Sequence, residues 1–397
     1  MNHEPKTAGN GLGRRQFLRN SVLLTVPLMA GGAMAGTLMR TGGTLGATQL
    51  VYEPPVRDRG TTLVDVKSFG AHGDGIFDDT NAIQAAINSL PSTGGTVFVP
   101  AGTYLIDAVK SINLRSLMHF QMDPEAVLVV KTNTSDRYLA ILADVVHDVE
   151  ISGGRIIGDR DTHVGITGEG GHGIKIRGAS RVTIRDIHIS KGWGDGISVG
   201  PKPQYKAHFI NAEDVVVANV VCTENRRNGL AITNVIGMKV YDSEFSNTNG
   251  TSPQCGIDVE PNQDYDMTGY NDQIWIENCV MTGNAAYGVN VWKRSRNLTI
   301  TKCTISDNKS CGIVTTGLNA GTFTDNTFCN NMKTGLYIKD GTHDLTVSGN
   351  TSYNNYLKQG LKTRTPFYLT GVSSKVQKDL IVGTGTYSVN IGSNYYK

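Results

Sequence analysis

The 397-residue sequence predicts an all-β fold: a single-stranded, right-handed parallel β-helix closed at its N-terminal end by a short capping helix. Three observations predict it. A six-residue pattern, x-Gly-apolar-x-apolar-x, returns at intervals of about one coil. A second pattern of period-two alternation falls between its copies. Glycine is abundant, at 47 residues, without the G-X-Y period of collagen, so it marks tight turns between short strands.

The first pattern opens as His172-Gly173-Ile174-Lys175-Ile176-Arg177 and returns as Asp195-Gly196-Ile197-Ser198-Val199. It continues at Asn228-Gly229-Leu230, Cys255-Gly256-Ile257-Asp258-Val259-Glu260, Tyr287-Gly288-Val289-Asn290-Val291-Trp292, Cys311-Gly312-Ile313 and Thr334-Gly335-Leu336, with Gln359-Gly360-Leu361 as a weaker last copy. Its glycines are 23, 33, 27, 32, 24, 23 and 25 residues apart. Between them, Val182 to Ile189, Val215 to Val221, Ile274 to Val280 and Leu298 to Ile305 alternate apolar with polar. Each repeat therefore carries at least two short strands with one apolar face. Units of this length, without a leucine-rich signature, stack strand on strand as parallel sheets. The predicted inward column is Ile187, Val220, Ser243, Cys279, Cys303, Asn326 and Asn350, in which like residues stack on like. The six cysteines form no CxxC pair, so they are read as core filling rather than as a zinc site, with Cys279 and Cys303 as a reduced stack.

Two intervals exceed the base period by about ten residues. The extra chain lies at 200–213 and 261–273 and is expected to leave one face of the solenoid as loops. At the N-terminal side, residues 64–106 read as strand, turn, short amphipathic helix and strand. Asp78 or Asp79 is expected to cap the helix, and Ile83, Ala86 and Ile87 form its apolar face. Such a helix covers the open end of the stack.

The formal charge is +2. The first 35 residues carry Lys6, Arg14, Arg15 and Arg19 against Glu4, so the rest has a net charge of −1. A near-neutral body argues against nucleic acid as a partner. Gly13-Arg14-Arg15-Gln16-Phe17-Leu18-Arg19, a short apolar stretch from Ser21 to Ala30 and Ala33-Met34-Ala35 read as a twin-arginine export signal with its cleavage site. A membrane anchor is the alternative, but the stretch falls short of the ~20 apolar residues of a span. The expected layout is a signal at 1–35, a linker at 36–60 and a catalytic β-helix at 61–397. The mature protein is expected to be periplasmic or secreted, with the twin-arginine translocase as its partner during export and no stable membrane anchor.

Phe69-Gly70-Ala71-x-Gly73-Asp74-Gly75, Asp78-Asp79-Thr80, Ala82-Ile83-Gln84-Ala85-Ala86, Gly94-Gly95-x-Val97 and Pro100-Ala101-Gly102-x-Tyr104 form a dense set. This segment resembles the opening of the pectate-lyase-like superfamily, which includes rhamnogalacturonases, polygalacturonases, alginate C5-epimerases and phage tailspike depolymerases. The resemblance implies a parallel β-helix and a polysaccharide partner. Polygalacturonases carry Asp-Gly, an Asp pair and then Gly-His-Gly in successive coils. Here Gly171-His172-Gly173 precedes Asp195-Gly196, so that set does not carry over. Alginate epimerases carry Tyr-Gly-Phe-Asp-Pro-His-Glu. The strand Cys255 to Glu260 keeps its Gly256 and Asp258, with Glu260 in place of the His.

Taking the residue after each repeat glycine as inward sets two outward columns. The first reads Lys175, Ser198, Ala231, Asp258, Asn290, Val314, Tyr337. The second reads Arg177, Gly200, Thr233, Glu260, Trp292, Thr316, Lys339. Asp258 and Glu260 lie i,i+2 on one face, ~7 Å apart at the backbone, a separation suited to an inverting glycosidase with one carboxyl as acid and the other as base. Asp195 is a candidate third carboxylate. Lys175, Arg177, Arg227 and Lys293 are candidate contacts for an acidic sugar chain, as are Asn290 and the aromatic Trp292, with Trp193 and Tyr287 nearby. A solvated strand face is the plainer reading of any one of these charges. The leading expectation is a glycoside hydrolase acting on an acidic or branched polysaccharide through Asp258 and Glu260, with no cofactor and no metal. The alternatives are a polysaccharide lyase, for which calcium is a possible cofactor, a uronate C5-epimerase, and a noncatalytic glycan-binding or surface β-helix.

Overall fold

A computed structural model describes residues 52–204, 209–261, 269–356 and 379–396. Among these, three parallel sheets run the length of the stack. The first has twelve strands, from Thr62–Asp65 to Tyr387–Ile391. The second has twelve, from Asp74–Asp78 to Tyr395–Tyr396, and the third ten, from Ile112–Asn113 to Leu380–Val382. Strand order in each sheet follows chain order, so each coil adds one strand to each sheet it reaches. This is the predicted parallel β-helix, with the right hand of parallel crossovers. Each full coil carries a third strand beyond the two that the sequence reveals, because the second sheet's strands from His188–Ser190 to Thr351–Tyr353 are three residues each and continue the alternating stretch across a corner.

The apolar residue after each repeat glycine pairs with its copies in register, Ile174, Ile197, Leu230, Ile257, Val289, Ile313 and Leu336, and Leu380, which follows Asp379, continues the row. All eight are fully buried. The glycine before them is demanded by close approach. A Cβ at Gly173, Gly196, Gly229, Gly256, Gly288 or Gly312 would meet the carbonyl oxygen of the next coil's glycine at 2.5–2.8 Å.

The corners are equally regular. Asp186, Asn219, Asp242, Asn278, Lys302 and Asp325 turn the chain from the first sheet into the second, all at positive φ of 49–57°. Asp and Asn predominate there because their short polar side chains tolerate the left-handed region. The predicted inward column from Ile187 to Asn350 is buried throughout. Asn326 donates to Asn350, and Asn350 to Asn394. A second ladder, Asn284 to Asn308 to Asn331 to Asn355, runs parallel to it. The six cysteines are buried and free.

The capping helix, α1, spans Thr80–Ser89 and buries Ile83, Ala86 and Ile87. Of the two expected caps, Asp78 is the one whose side chain bonds the start of the helix. The Asp79 carboxylate accepts from the His72 and Gly73 backbone N–H groups, tying down the preceding loop, while Asp78 accepts from the backbone and hydroxyl of Thr80. The weak repeat at Gln359 lies outside the described residues. The strand that follows Leu336–Ile338 in the third sheet is Leu380–Val382.

The export signal and most of the expected linker also lie outside the described residues. The part that is described, 52–60, is no free tether. Tyr52 stacks on Tyr241, and Arg57 bonds Thr183, the Val182 carbonyl and Asp214. Arg59 pairs with buried Glu150. This arm therefore fastens to four successive strands of the first sheet: His147–Ser152, Ser180–Arg185, Ala212–Ala218 and Val235–Tyr241. No described helix is long and apolar enough to cross a membrane.

Candidate active site

The third sheet carries the site. Register places Lys175 beside Ser198, Ser198 beside Ala231, Ala231 beside Asp258 and Asp258 beside Asn290, one coil apart at each step. The residues before the repeat glycines stack in the same way, so His172 lies next to Asp195. A groove of about 860 Å³ opens over this sheet, lined among others by Tyr138, His172, Lys175, Asp195 and Arg227.

Asp195 is the most enclosed carboxylate of the groove, at 1% exposure. Arg227 Nη1 reaches both its oxygens at 3.1 and 3.2 Å, and the Asn228 backbone N–H adds a third bond at 3.2 Å. The Asp195 charge in turn raises the Arg227 guanidinium further above its usual range. Arg227 Nε lies 3.2 Å from Glu169. The Asp195 backbone N–H donates to His172 Nδ1 at 3.0 Å. Burial pushes the His172 pKa down to about 4 against the pull of Asp195, so the ring is neutral at physiological pH. With Nδ1 accepting, the proton sits on Nε2.

Lys175 sits at the centre of the floor and donates to Ser198 Oγ at 2.9 Å. Burial lowers its pKa to about 8, partly opposed by Asp195. No carboxylate pairs directly with it among the described residues. Asp258, two coils beyond Ser198, is only 3% exposed. That corrects the expectation of a solvent-facing side chain: Asn290 bonds it at 2.8 Å, and Glu260, Arg227 and Asp195 all lie within electrostatic range. Burial raises its pKa to about 7, with Glu260 adding to the rise and Asn290 opposing it. Glu260 is half-buried just past the strand end.

At the C-terminal end of its own strand, Gly170–Arg177, Arg177 makes a bidentate pair with Asp144, which Lys202 also contacts. The far wall is braced from behind. Asp159 takes bonds from Tyr138 and His163, His163 stacks on Trp193, and Arg226 lies over the Trp193 ring.

Of the residues singled out in the sequence, Lys175, Arg177, Asp195 and Arg227 line one groove. Asp258, Glu260 and Asn290 continue the same face, and Trp292, part-exposed, and Lys293, exposed, follow at the end of the Asn290 strand. Trp193 serves the wall rather than the floor. The sequence placed Ser198 in the outward column without making it a site candidate, and its candidates did not include His172, Asp144 or Lys202. The signal for His172 was its position before Gly173, the same position that Asp195 holds before Gly196. Among the described residues no group of three or more His, Cys, Asp or Glu converges as a metal site.

This geometry defines a solenoid with a polar groove along one parallel sheet. The chain belongs to the right-handed β-helix proteins. It matches the family described as "Right handed beta helix region" over residues 129–268 and 254–395, and "Rhamnogalacturonase A/epimerase, pectate lyase-like" over 63–150. Among curated proteins it is similar to the uncharacterized protein YclG of Bacillus subtilis, 34% identical over 220 residues, which span 50% of this chain and 38% of YclG. It is also similar to the mannuronan C5-epimerase AlgE1 of Azotobacter vinelandii, 25% identical over 292 residues, 73% of this chain and 15% of AlgE1. The chain thus spans well under half the length of either relative. Among solved structures, the A-module of A. vinelandii mannuronan C-5 epimerase AlgE4 superposes with a TM-score of 0.58 at 18% identity, covering 85% of this chain and 99% of the module. A Thermotoga maritima exopolygalacturonase gives 0.53 at 13% identity, covering 77% and 90%. These two likenesses show the fold alone.

Proposed function

We propose that the protein is an enzyme acting on an acidic, uronate-containing polysaccharide laid along the third sheet, and that its chemistry is proton abstraction beside the uronate carboxyl. One observation carries this reading. Lys175 is an amine with a pKa of about 8, directly paired with no described carboxylate, on the floor of a groove that also presents Arg137, Arg177 and Arg227. Arg137 and Arg227 supply the charge that holds the carboxylate of the reacting sugar and stabilises its enolate-like intermediate. The neutral amine of Lys175 takes the proton from the carbon next to that carboxyl. From the intermediate, the glycosidic oxygen on the neighbouring carbon can depart, taking up a proton to leave as a hydroxyl and forming a double bond; alternatively, with that bond kept, delivery of a proton to the opposite face inverts the centre. The mannuronan C5-epimerase relative supports a uronate polymer as substrate.

Hydrolysis by Asp258 and Glu260 is the second reading. It is favoured by the Asp258 pKa of about 7, which keeps a carboxyl protonated where a general acid must be. The structural neighbour that is a polygalacturonase fits it.

The test is a screen of the mature protein on polygalacturonate, pectin, alginate and bacterial exopolysaccharides with three readouts taken together. Absorbance near 235 nm reports an unsaturated product, solvent deuterium at the uronate centre reports epimerisation, and new reducing ends alone report hydrolysis. Lys175→Met removing the first two signals supports abstraction. Reducing ends that vanish in Asp258→Asn would move the assignment to hydrolysis. The noncatalytic alternative predicts binding without any of the three. Export by the twin-arginine route belongs to the same proposal, and replacing Arg14 and Arg15 by Lys should leave the protein in the cytoplasmic fraction.

A further inference from the structure

The repeat strands end at Gly200 and resume at Ala212, so the insertion is shorter than the expected 200–213, and its first residues deliver a cation to the groove. Lys202–Pro203 pairs antiparallel with Phe209–Ile210, a small two-stranded element outside the three sheets. This hairpin sets Lys202 Nζ at 2.7 Å from Asp144. Arg177 already holds both Asp144 oxygens at 2.8 Å. Two cations therefore share one carboxylate. Burial works to raise the Asp144 pKa, and the two cations outweigh it and hold the carboxyl below its ordinary value. Each of the three side chains remains about a third exposed. The Arg177 guanidinium spends its Nε and Nη2 on Asp144, leaving Nη1 without a partner among the described residues. Beside Arg177 the register places Gly200, which has no side chain to fill the floor; a Cβ there would meet Lys175 Nζ and the Thr233 carbonyl oxygen at 3.4 Å. A cluster with net charge +1, free donors and open floor is built to accept an anion.

We infer that Arg177 and Lys202, with Asp144 as their internal counter-ion, form a separate subsite for a sugar-borne carboxylate, one that belongs to a residue of the chain other than the one at Lys175. The inference rests on the acidic-polysaccharide reading above. Lys175 and Arg177 stand i,i+2 on one strand, ~7 Å apart at the backbone, so the two positions engage different groups of an extended polymer. Asp144 keeps the cations ordered when the groove is empty and competes with the incoming carboxylate for the same donors.

That competition gives the test opposite signs. Calorimetric titrations would use the full protein at pH 5, where Lys175 is charged and cannot abstract a proton. The probes are hexamers of galacturonate and mannuronate and their carboxyl-reduced, neutral counterparts. The wild type binds the acidic hexamers more tightly than the neutral ones. Lys202→Met weakens acidic binding about tenfold and leaves neutral binding unchanged. Asp144→Asn strengthens acidic binding, because the internal competitor is gone. Thermal melts check that both variants are folded; in Lys202→Met the Arg177–Asp144 pair is intact. A merely structural triad would make both variants weaker, or neither. Acidic binding unchanged in Lys202→Met, or lost in Asp144→Asn at wild-type stability, overturns the subsite. The two shifts seen without turnover of any polymer would leave the subsite standing and remove the proposed activity. A wild type that binds no acidic hexamer would overturn both.

Discussion

The two candidate chemistries respond to pH in opposite directions, and the structure supplies the magnitudes. Lys175 must be neutral to act as a base, and its pKa is about 8. About 1% of it is neutral at pH 6 and about half at pH 8, so kcat/KM for elimination or epimerisation rises about fiftyfold across that interval. Asp258 must be protonated to act as an acid, and its pKa is about 7. Its protonated share falls from about nine-tenths at pH 6 to about one-tenth at pH 8, so kcat/KM for hydrolysis falls about tenfold. The assay is initial rate at low substrate and constant ionic strength from pH 5 to 9, read by 235 nm absorbance, deuterium incorporation and reducing ends. Lys175→Arg fixes the charge at this position and removes the rising limb. A profile flat from pH 6 to 9 refutes both assignments. A rising limb that survives Lys175→Arg refutes the lysine as base.

Three further outcomes are expected. Arg227→Gln strips the guanidinium from buried Asp195 and should cost about 2–4 kcal/mol in urea unfolding, discounted for the part of Arg227 that water reaches, with Asp195→Asn in the same background recovering part of it. Folding raises the Asp258 pKa from 3.8 to about 7, so its contribution to stability is present below pH 4 and lost as pH climbs to 7; Asp258→Asn should therefore raise Tm at pH 8 and leave it nearly unchanged at pH 4. Gly229→Ala would put a Cβ 2.7 Å from the Gly256 carbonyl oxygen and should destabilise by about 1–3 kcal/mol in thermal melts, whereas a residue facing solvent on the same coil tolerates the same added methyl.

The coil was legible in the sequence because its determinants are local and repeated. The glycine before each inward residue answers to a contact with its own copy one coil away, so its spacing reports the stack directly. The column from Ile187 to Asn350 is readable for the same reason. The site was legible only in part. Lys175, Arg177, Asp195 and Arg227 stand out as charges at repeat positions. Asp144 lies on Arg137–Asp144, a strand whose coil lacks the glycine motif, so its register with Arg177 was hidden. Lys202 depends on a hairpin outside the repeat. The enclosure of Asp258 comes from Asn290, Glu260 and Arg227 arriving from separate coils, and alternation along one strand carries no information about that.

The arm at 52–60 changes how such a stack can come apart. In a solenoid each coil touches only its neighbours, so segments can loosen independently. Here Arg57 bonds residues 126 and 157 positions away in sequence, and the arm as a whole engages four coils. Loosening any one of them breaks a connection that the others share. The strapped region includes the coils that carry His172, Asp195 and Arg227, so they should open together or not at all, giving a single cooperative block in hydrogen exchange where a plain solenoid would give a gradient.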